Sequence, residues 1–374
     1  MPRKYALLDE TALVAIEAQA AQILSEIGVE LQEDSASLDA FRSIGARCER
    51  QRVYPDASQL RELIAQAPNR FVWHGKTDAA SVEIGGSRPI IAPVFGPPKV
   101  LDKSGETHLG TLQDYRDLVR FCDQSDAMDS TGFLLCIAHG GGLAVPHMEL
   151  LKAHMELSDK PMMGTVISEA ALRDIADAVG ASLEQCRLLH MVNLTPPLTY
   201  QVNPLRCLRA SAELGQGTVV SSYMMMGATS PVMMAGALAQ GLAEILVGLA
   251  LTQIYRPGAP VVGGIFATPF SMQFMGPVFG TPESHLVQLA ACQLIRRLGI
   301  PVRGDGMISS SKLNDAQAGY EGAGVLGASL LGGADLILHS AGWLEAGRLV
   351  SLEKCQTDMA WIEQVLPVYS EAAV

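Results

Sequence analysis

The sequence predicts an α/β protein, a closed (β/α)8 TIM barrel preceded by an N-terminal extension of helices and a small β layer. Three observations predict it. Eight short apolar runs recur between residues 89 and 340, each followed by a loop and a segment of helical spacing. The runs are continuously apolar, as expected of parallel strands covered on both faces. The chain has 374 residues, enough for a barrel of roughly 250 residues with an extension. An open doubly wound sheet is the runner-up, but it needs a phosphate loop after its first strand and none is present.

The extension is expected over 1–88 and the barrel over 89–374. LLDETALVAIEAQAAQILSEIGV has helical spacing and ends at Gly28; SASLDAFRSIGA ends at Gly45. DASQLRELIAQAP opens on Asp56 as a cap and stops before Pro68. FVWHG and SVEIGG read as short strands. The barrel strands are expected at 89–95, 128–137, 160–167, 187–194, 218–225, 259–266, 300–307 and 334–340. Between them lie TLQDYRDLVRFCDQ, PHMELLKAHMEL, EAALRDIADAVGASL, NPLRCLRASAELG, the stretch 232–255, PESHLVQLAACQLIRRLG and AGYEGAGVLGASLLGG. GWLEAGRLVSLEKCQTDMAWIEQVL reads as one closing helix.

Composition narrows the function. The net charge is −12 and no Lys/Arg run occurs, which argues against a nucleic-acid or anionic membrane surface. The seven cysteines are scattered without a CxxC, as in reduced cytoplasmic thiols. The N-terminal stretch lacks the apolar core of a signal peptide. Residues 232–255 are long enough to span a membrane, but Glu244 sits mid-stretch. Pro231 and Arg256-Pro257-Gly258 bound the stretch like a helix of a soluble fold, and a buried barrel helix is expected.

A barrel places its site at the carboxyl ends of the strands. That rule selects Phe95, Asn193, Tyr223, Met224, Phe266, Asp305 and His339, with Gln273, Lys312 and Asp315 from the loops beyond. Thr165 also falls at a strand end. Other motifs fail. HGGG at 139–142 has no GxSxG nucleophile elbow to serve and reads as a loop over the mouth. His139, His147 and His154 lack the HExxH or carboxylate companions of a metal site and read as solvated helix histidines. Gly322, Gly324 and Gly327 form a GxGxxG that follows no strand, and read as helix-packing residues.

Several longer stretches carry a resemblance. GATSPVMMAGALAQGLAEILVGLALTQIYRPGAPVVGG, GTPESHLVQLAACQLIRRLGIPVRGDGMISSSKLNDAQAGYEGA and ADLILHSAGWLEAG resemble the trimethylamine–corrinoid methyltransferase family. ILSEIGVEL, KVLDKSGETHLGTLQDYRDLVRFCD and LSDKPMMG match it in outline. The resemblance implies a TIM barrel that moves a methyl group from a methylamine to Co(I) of a separate corrinoid-binding protein. It implies no tightly bound cofactor, a cytoplasmic location and assembly as a homo-oligomer. SSSKLNDAQAGYE holds ordinary residues where pyrrolysine is expected, so the chain is similar to the non-pyrrolysine, glycine-betaine-demethylating branch. Two alternatives stay open: a barrel that binds a quaternary amine without turnover, and a methyltransferase with a non-corrinoid acceptor.

On that reading Tyr223 and Phe266 offer ring faces to a substrate cation and Asp305 or Asp315 a carboxylate. Phe95, Met224, Asn193 and Gln273 line the pocket. His339, Lys312 or Arg303 would hold a substrate carboxylate. Relatives of this kind run on beyond the GWLE helix, and the expectation is that all eight strands precede residue 341 so that the barrel closes without that tail. APVFGPPKVLD replaces a glycine-richer turn, and its prolines stiffen the mouth.

Overall fold

Polar residues at the helix starts satisfy the first free amides. In the computed structural model, which describes residues 4–164 and 168–371, Asp9 accepts from Ala12 and Asp56 from Ser58 and Gln59. Thr111 and Asp114 form a reciprocal capping box, and Thr281 accepts from Ser284. Each such cap is worth about 1 kcal/mol. Gly28, Gly45 and Gly333 follow helical segments with φ of 70°, 83° and 73°, the left-handed turn that a side chain resists.

Two parallel runs of strand form the barrel. Met162–Met163, Leu188–Asn193, Gly217–Met226 and Val261–Ser271 pair in chain order. Arg303–Asp305, Leu336–Leu338 and Ile90–Ile91 form the second run. Backbone bonds join the runs at both ends. The Gly263 amide donates to the Pro301 carbonyl at 3.0 Å; on the other side the Asp129 amide donates to Ile91 (2.9 Å) and the Met163 amide to Gly132 (3.1 Å). The ring therefore closes, with the segment around 129–132 in the second position. A helix follows each position: Leu112–Gln124, His147–Leu157, Glu169–Ala178, Val202–Glu213, Met234–Tyr255, Pro282–Arg296, Ala316–Gly332 and Leu352–Glu371. This is the (β/α)8 barrel that the apolar rhythm predicts.

Three expected elements need correction. Residues 128–137 do not form a strand. Gly132 turns with φ 64°, and beyond it Leu134 and Ile137 bond to Gly96 and Pro97 instead of continuing the ladder. The strand expected over 160–167 is confined to Met162–Met163 among the described residues, and Thr165 lies outside them. The closing helix starts only at Leu352. Before it, Trp343–Leu344 pairs antiparallel with Leu349–Ser351, which in turn lies parallel to Lys99–Leu101. Gly342, Ala346 and Gly347 all take positive φ, which no continuous helix accommodates.

Helix Met234–Tyr255 is the most apolar layer, and 83% of its most apolar window is buried inside the fold. Gly248 lets it close on Tyr200: a Cβ there would stand 2.2 Å from the phenol oxygen. Glu244, fully buried, accepts on one oxygen from the Leu198 amide (2.8 Å) and the Gln240 amide group (2.9 Å), while its other oxygen has no hydrogen-bond partner among the described residues. The extension helices Glu10–Gln22, Ser35–Ser43 and Ala57–Ile64 pack on this same helix. The hairpin Phe71–Trp73/Val82–Ile84 lies under the strand starts, with the Trp73 indole donating to the Arg187 carbonyl at 3.3 Å. That leaves the opposite end, where the strands terminate, for the site.

Candidate active site

Register and alternation decide which side chains enter the barrel. Tyr223 pairs with Phe266, and Ser221 with Gly264. A Cβ on Gly264 would stand 2.7 Å from Arg303 Cδ, whereas one on Gly241, in the outer helix, would stand 2.7 Å from Met224 Cε. Successive residues of a strand face opposite sides. Ser221, Tyr223, Gly264 and Phe266 therefore face inward with Arg303, while Ser222, Met224 and Ile265 face the helix. Gly264 is a position where the absence of a side chain makes room for a buried arginine.

The inward rings join others from the loops. Tyr223 and Phe266 have centroids 5.1 Å apart, and Phe279 lies 6.3 Å from Tyr223, nearly parallel, and 5.7 Å from Phe266. Trp343 lies 5.7 Å from Phe279, and the His339 ring meets its edge at 4.5 Å. Five rings thus run without a break from the middle of the barrel wall to the loop after the last strand. Each aromatic pair contributes about 0.5–1.5 kcal/mol beyond its burial.

Under the rings lies a charged pair. Arg303 grips Asp305 with two bonds, of 2.6 and 3.0 Å, and both side chains are almost fully buried. The guanidinium lies 5.0 Å from the Phe266 centroid. Burial pushes the Asp305 carboxyl up to about 6, with Arg303 pulling the other way. At neutral pH the pair is therefore ionised and sums to no net charge. Burial, reinforced by Arg303, pulls His339 well below its ordinary value of 6.5, so its imidazole is neutral. His339 takes φ 57° although it is not glycine, a conformation that costs of order 1 kcal/mol or more and concentrates at functional sites.

His339 Nδ1, Trp343 Nε1 and Arg303 Nε are buried without a hydrogen-bond partner among the described residues. Each unsatisfied buried polar group costs about 1–3 kcal/mol. A ligand offering acceptor oxygens would relieve the indole and guanidinium, and the imidazole could donate in the appropriate tautomer.

The remaining sequence candidates are dispersed. Asn193 ends its strand exposed, in register with inward Ser221. Phe95 is half-buried against the core outside the ring series. Gln273 and Lys312 are exposed in loops beyond their strands, Gln273 in the turn between Val261–Ser271 and Gly276–Pro277. Met224 is corrected: it packs against the helix and faces away from the interior. Asp315 is exposed and serves as a cap, accepting from the Ala318 amide and the Ser311 hydroxyl, each at 2.9 Å; the amide bond foremost lowers its pKa. His154, expected to be solvated, is buried between the Tyr115 hydroxyl (3.2 Å) and Thr131 (2.8 Å), and burial lowers it to about 4. Gly322 and Gly324 do pack closely, against Met307 and His285.

Sequence reasoning missed Phe279 and Trp343. Phe279 returns to the barrel only because Val261–Ser271 folds back on Gly276–Pro277, a reversal without a periodic signal. Trp343 lies in the quoted HSAGWLE stretch, but the expected helix hid its placement.

Comparison with known proteins bears on this site. The chain is 32% identical over 358 residues to the glycine betaine methyltransferase of Desulfitobacterium hafniense (strain Y51), covering 94% of this chain and 74% of the relative. It is 29% identical over 366 residues to the proline betaine:corrinoid methyltransferase of Eubacterium limosum, covering 90% and 72%. Its fold is similar to that of the Methanosarcina barkeri monomethylamine methyltransferase, with a TM-score of 0.58 at 13% identity over 97% of this chain and 81% of that one. The family model described as trimethylamine methyltransferase (MTTB) matches residues 2–374, and the chain belongs to that family.

Proposed function

We propose that this protein transfers a methyl group from a carboxylate-bearing quaternary amine to the Co(I) of a corrinoid carried by a separate protein. The observation that carries this reading is the five-ring series over a charge-neutral Arg303–Asp305 pair, with unpartnered nitrogens on His339, Trp343 and Arg303. Ring faces attract a methylated ammonium, by about 0.5–2 kcal/mol each. Asp305 cancels the arginine charge that would otherwise repel it. The free nitrogens suit a carboxylate, which trimethylamine lacks and the betaines named among the relatives possess.

The partner's corrinoid supplies the nucleophile and the methyl acceptor. The N–CH3 bond breaks with its electron pair left on nitrogen, and the leaving group is a neutral amine. No residue of this chain has to donate a proton or form a bond. The task left to the site is to hold the methyl group in line and keep water away. A neutral His339 suits that task, because an imidazolium would repel the substrate cation.

The rim past the strand ends fits a docked partner. Met272, Phe274, Met275, Val232 and Met233 are each at least 70% exposed, on the turns after the two longest strands. Lys312, Gln273 and Asn193 belong to the same side. The seven unpaired cysteines suit a cytoplasmic location, and self-association is part of the reading.

The test is to incubate the protein with a Co(I)-corrinoid protein and a panel of betaines and simple methylamines, following loss of the Co(I) absorption band. Turnover of betaines in preference to trimethylamine is expected. Turnover without corrinoid, or stabilisation by betaine with no turnover beside a competent partner, overturns the proposal.

A further inference from the structure

Helix Leu352–Glu371 carries a pair that the binding site does not use directly. Lys354 and Asp358 lie one turn apart, both with side chains 1% exposed, in direct ionic contact. Each also reaches a different loop at the strand ends. Lys354 Nζ donates to the Met307 carbonyl, a long contact of 3.4 Å, in the loop after Arg303–Asp305. The second oxygen of Asp358 accepts the Gly342 amide at 2.9 Å. Gly342 lies three residues after His339 and one before Trp343.

Stability is a poor explanation for such a pair. Removing two charges from water costs several kcal/mol per ion, and matched apolar replacements are often neutral or stabilising. The loop it grips is pressed tightly onto the helix: Gly342 has φ 89°, and a Cβ there would stand 2.5 Å from Cys355 Sγ. Backbone bonds hold the start of this stretch to the barrel, from the His339 and Ser340 amides to the Pro93 and Ala92 carbonyls (3.2 and 3.0 Å) and from the Val94 amide to the Ala341 carbonyl (3.1 Å). At Gly342 the carbonyl accepts only a long 3.3 Å bond from the Ser351 amide, and the Gly342 amide is the group that Asp358 holds.

We propose that Lys354 and Asp358 are positioning residues whose buried pair fixes the 339–343 loop, and with it the meeting of His339 and Trp343 at the substrate. The loop claim stands on geometry alone; its consequence for turnover rests on the proposed function.

Two double variants separate tether from charge. Lys354→Met with Asp358→Leu removes both; Lys354→Met with Asp358→Asn keeps a neutral acceptor for Gly342. Both should melt within about 4 °C of the unaltered protein. In the Leu variant the Gly342 amide should exchange with deuterium at least tenfold faster. Its kcat on a betaine should fall on the order of ten- to a hundredfold with KM changed less, because misplacement costs rate before affinity. The Asn variant should restore slow exchange and most of kcat. Unchanged exchange in the Leu variant overturns the proposal, as does an Asn variant no better than the Leu variant. Global unfolding of the Leu variant beside a well-folded Asn variant overturns it too, because the tether would then be structural. If the unaltered protein turns over no amine, the functional reading fails while exchange at Gly342 still decides the loop claim.

Discussion

The two halves of the barrel are built differently. From Leu188 to Ser271 the wall is made of strands of six, ten and eleven residues with an unbroken ladder. From Leu336 through Ile90 to Met163 it is made of two- and three-residue strands, with single bonds at 129–132. The long-stranded half places Tyr223 and Phe266 by alternation. The short-stranded half places His339 and Trp343 by positive-φ turns and side-chain bonds to the backbone. The contrast teaches that one cluster of rings can be placed partly by sheet geometry and partly by loops held through individual side-chain bonds.

The largest expected effect comes from the charged pair at the base of the ring series. Arg303→Met alone strands a buried carboxylate and should destabilise the fold by about 3–5 kcal/mol in chemical denaturation. Arg303→Met with Asp305→Leu should recover most of that stability while betaine affinity stays weak. A single variant as stable as the parent would show that the pair is not sealed from water, and the base of the site would have to be redrawn.

Ring removal compares the halves directly. Tyr223→Leu in the long-stranded half and Trp343→Leu in the loop half should each weaken betaine binding by about 0.5–2 kcal/mol by calorimetry. Met224→Leu, one residue from Tyr223 but facing the helix, should leave binding unchanged. Loss of binding in the Met224 variant would invert the assigned strand faces.

The same contrast explains what the sequence could reveal. Apolar runs and caps report local energetics, so the helix boundaries at Gly28, Asp56 and Thr111 and the central strands were legible. The placement of Tyr223 and Phe266 at the inner mouth was legible as well, because strand ends point there; their role toward a substrate is part of the proposal. Met224 was misread because apolarity does not say which face of a strand is inward; only packing against Gly241 settles that. Phe279 and Trp343 were hidden by a chain reversal and by positive-φ turns, neither of which leaves a periodic trace. In the 128–137 run, apolarity reports burial of Phe133, Leu135 and Cys136, and burial alone does not make a strand.

A smaller effect separates caps from contacts. Asp315→Ala should cost about 1 kcal/mol of stability through loss of its cap, with betaine affinity unchanged. An affinity loss rescued by Asp315→Glu would return this carboxylate to the site.

The smallest effect expected is in the pH dependence of betaine affinity, and it assigns a protonation state to each half of the site. His339 titrates well below 6.5, so affinity should be flat between about pH 7 and 8.5. Asp305 has its folded value raised to about 6 from an ordinary 3.8. Between those values the folded chain binds more protons there than the unfolded one, so this group's contribution to stability falls as pH rises through the window. Binding follows the opposite course. As pH falls through about 6, Asp305 gains a proton, Arg303 loses its counter-charge beside Phe266, and a substrate cation is held less well. The acidic limb should persist in His339→Gln and disappear in Asp305→Asn. If it disappears in the histidine variant instead, His339 carries the proton, and the neutral imidazole on which the substrate geometry depends is wrong.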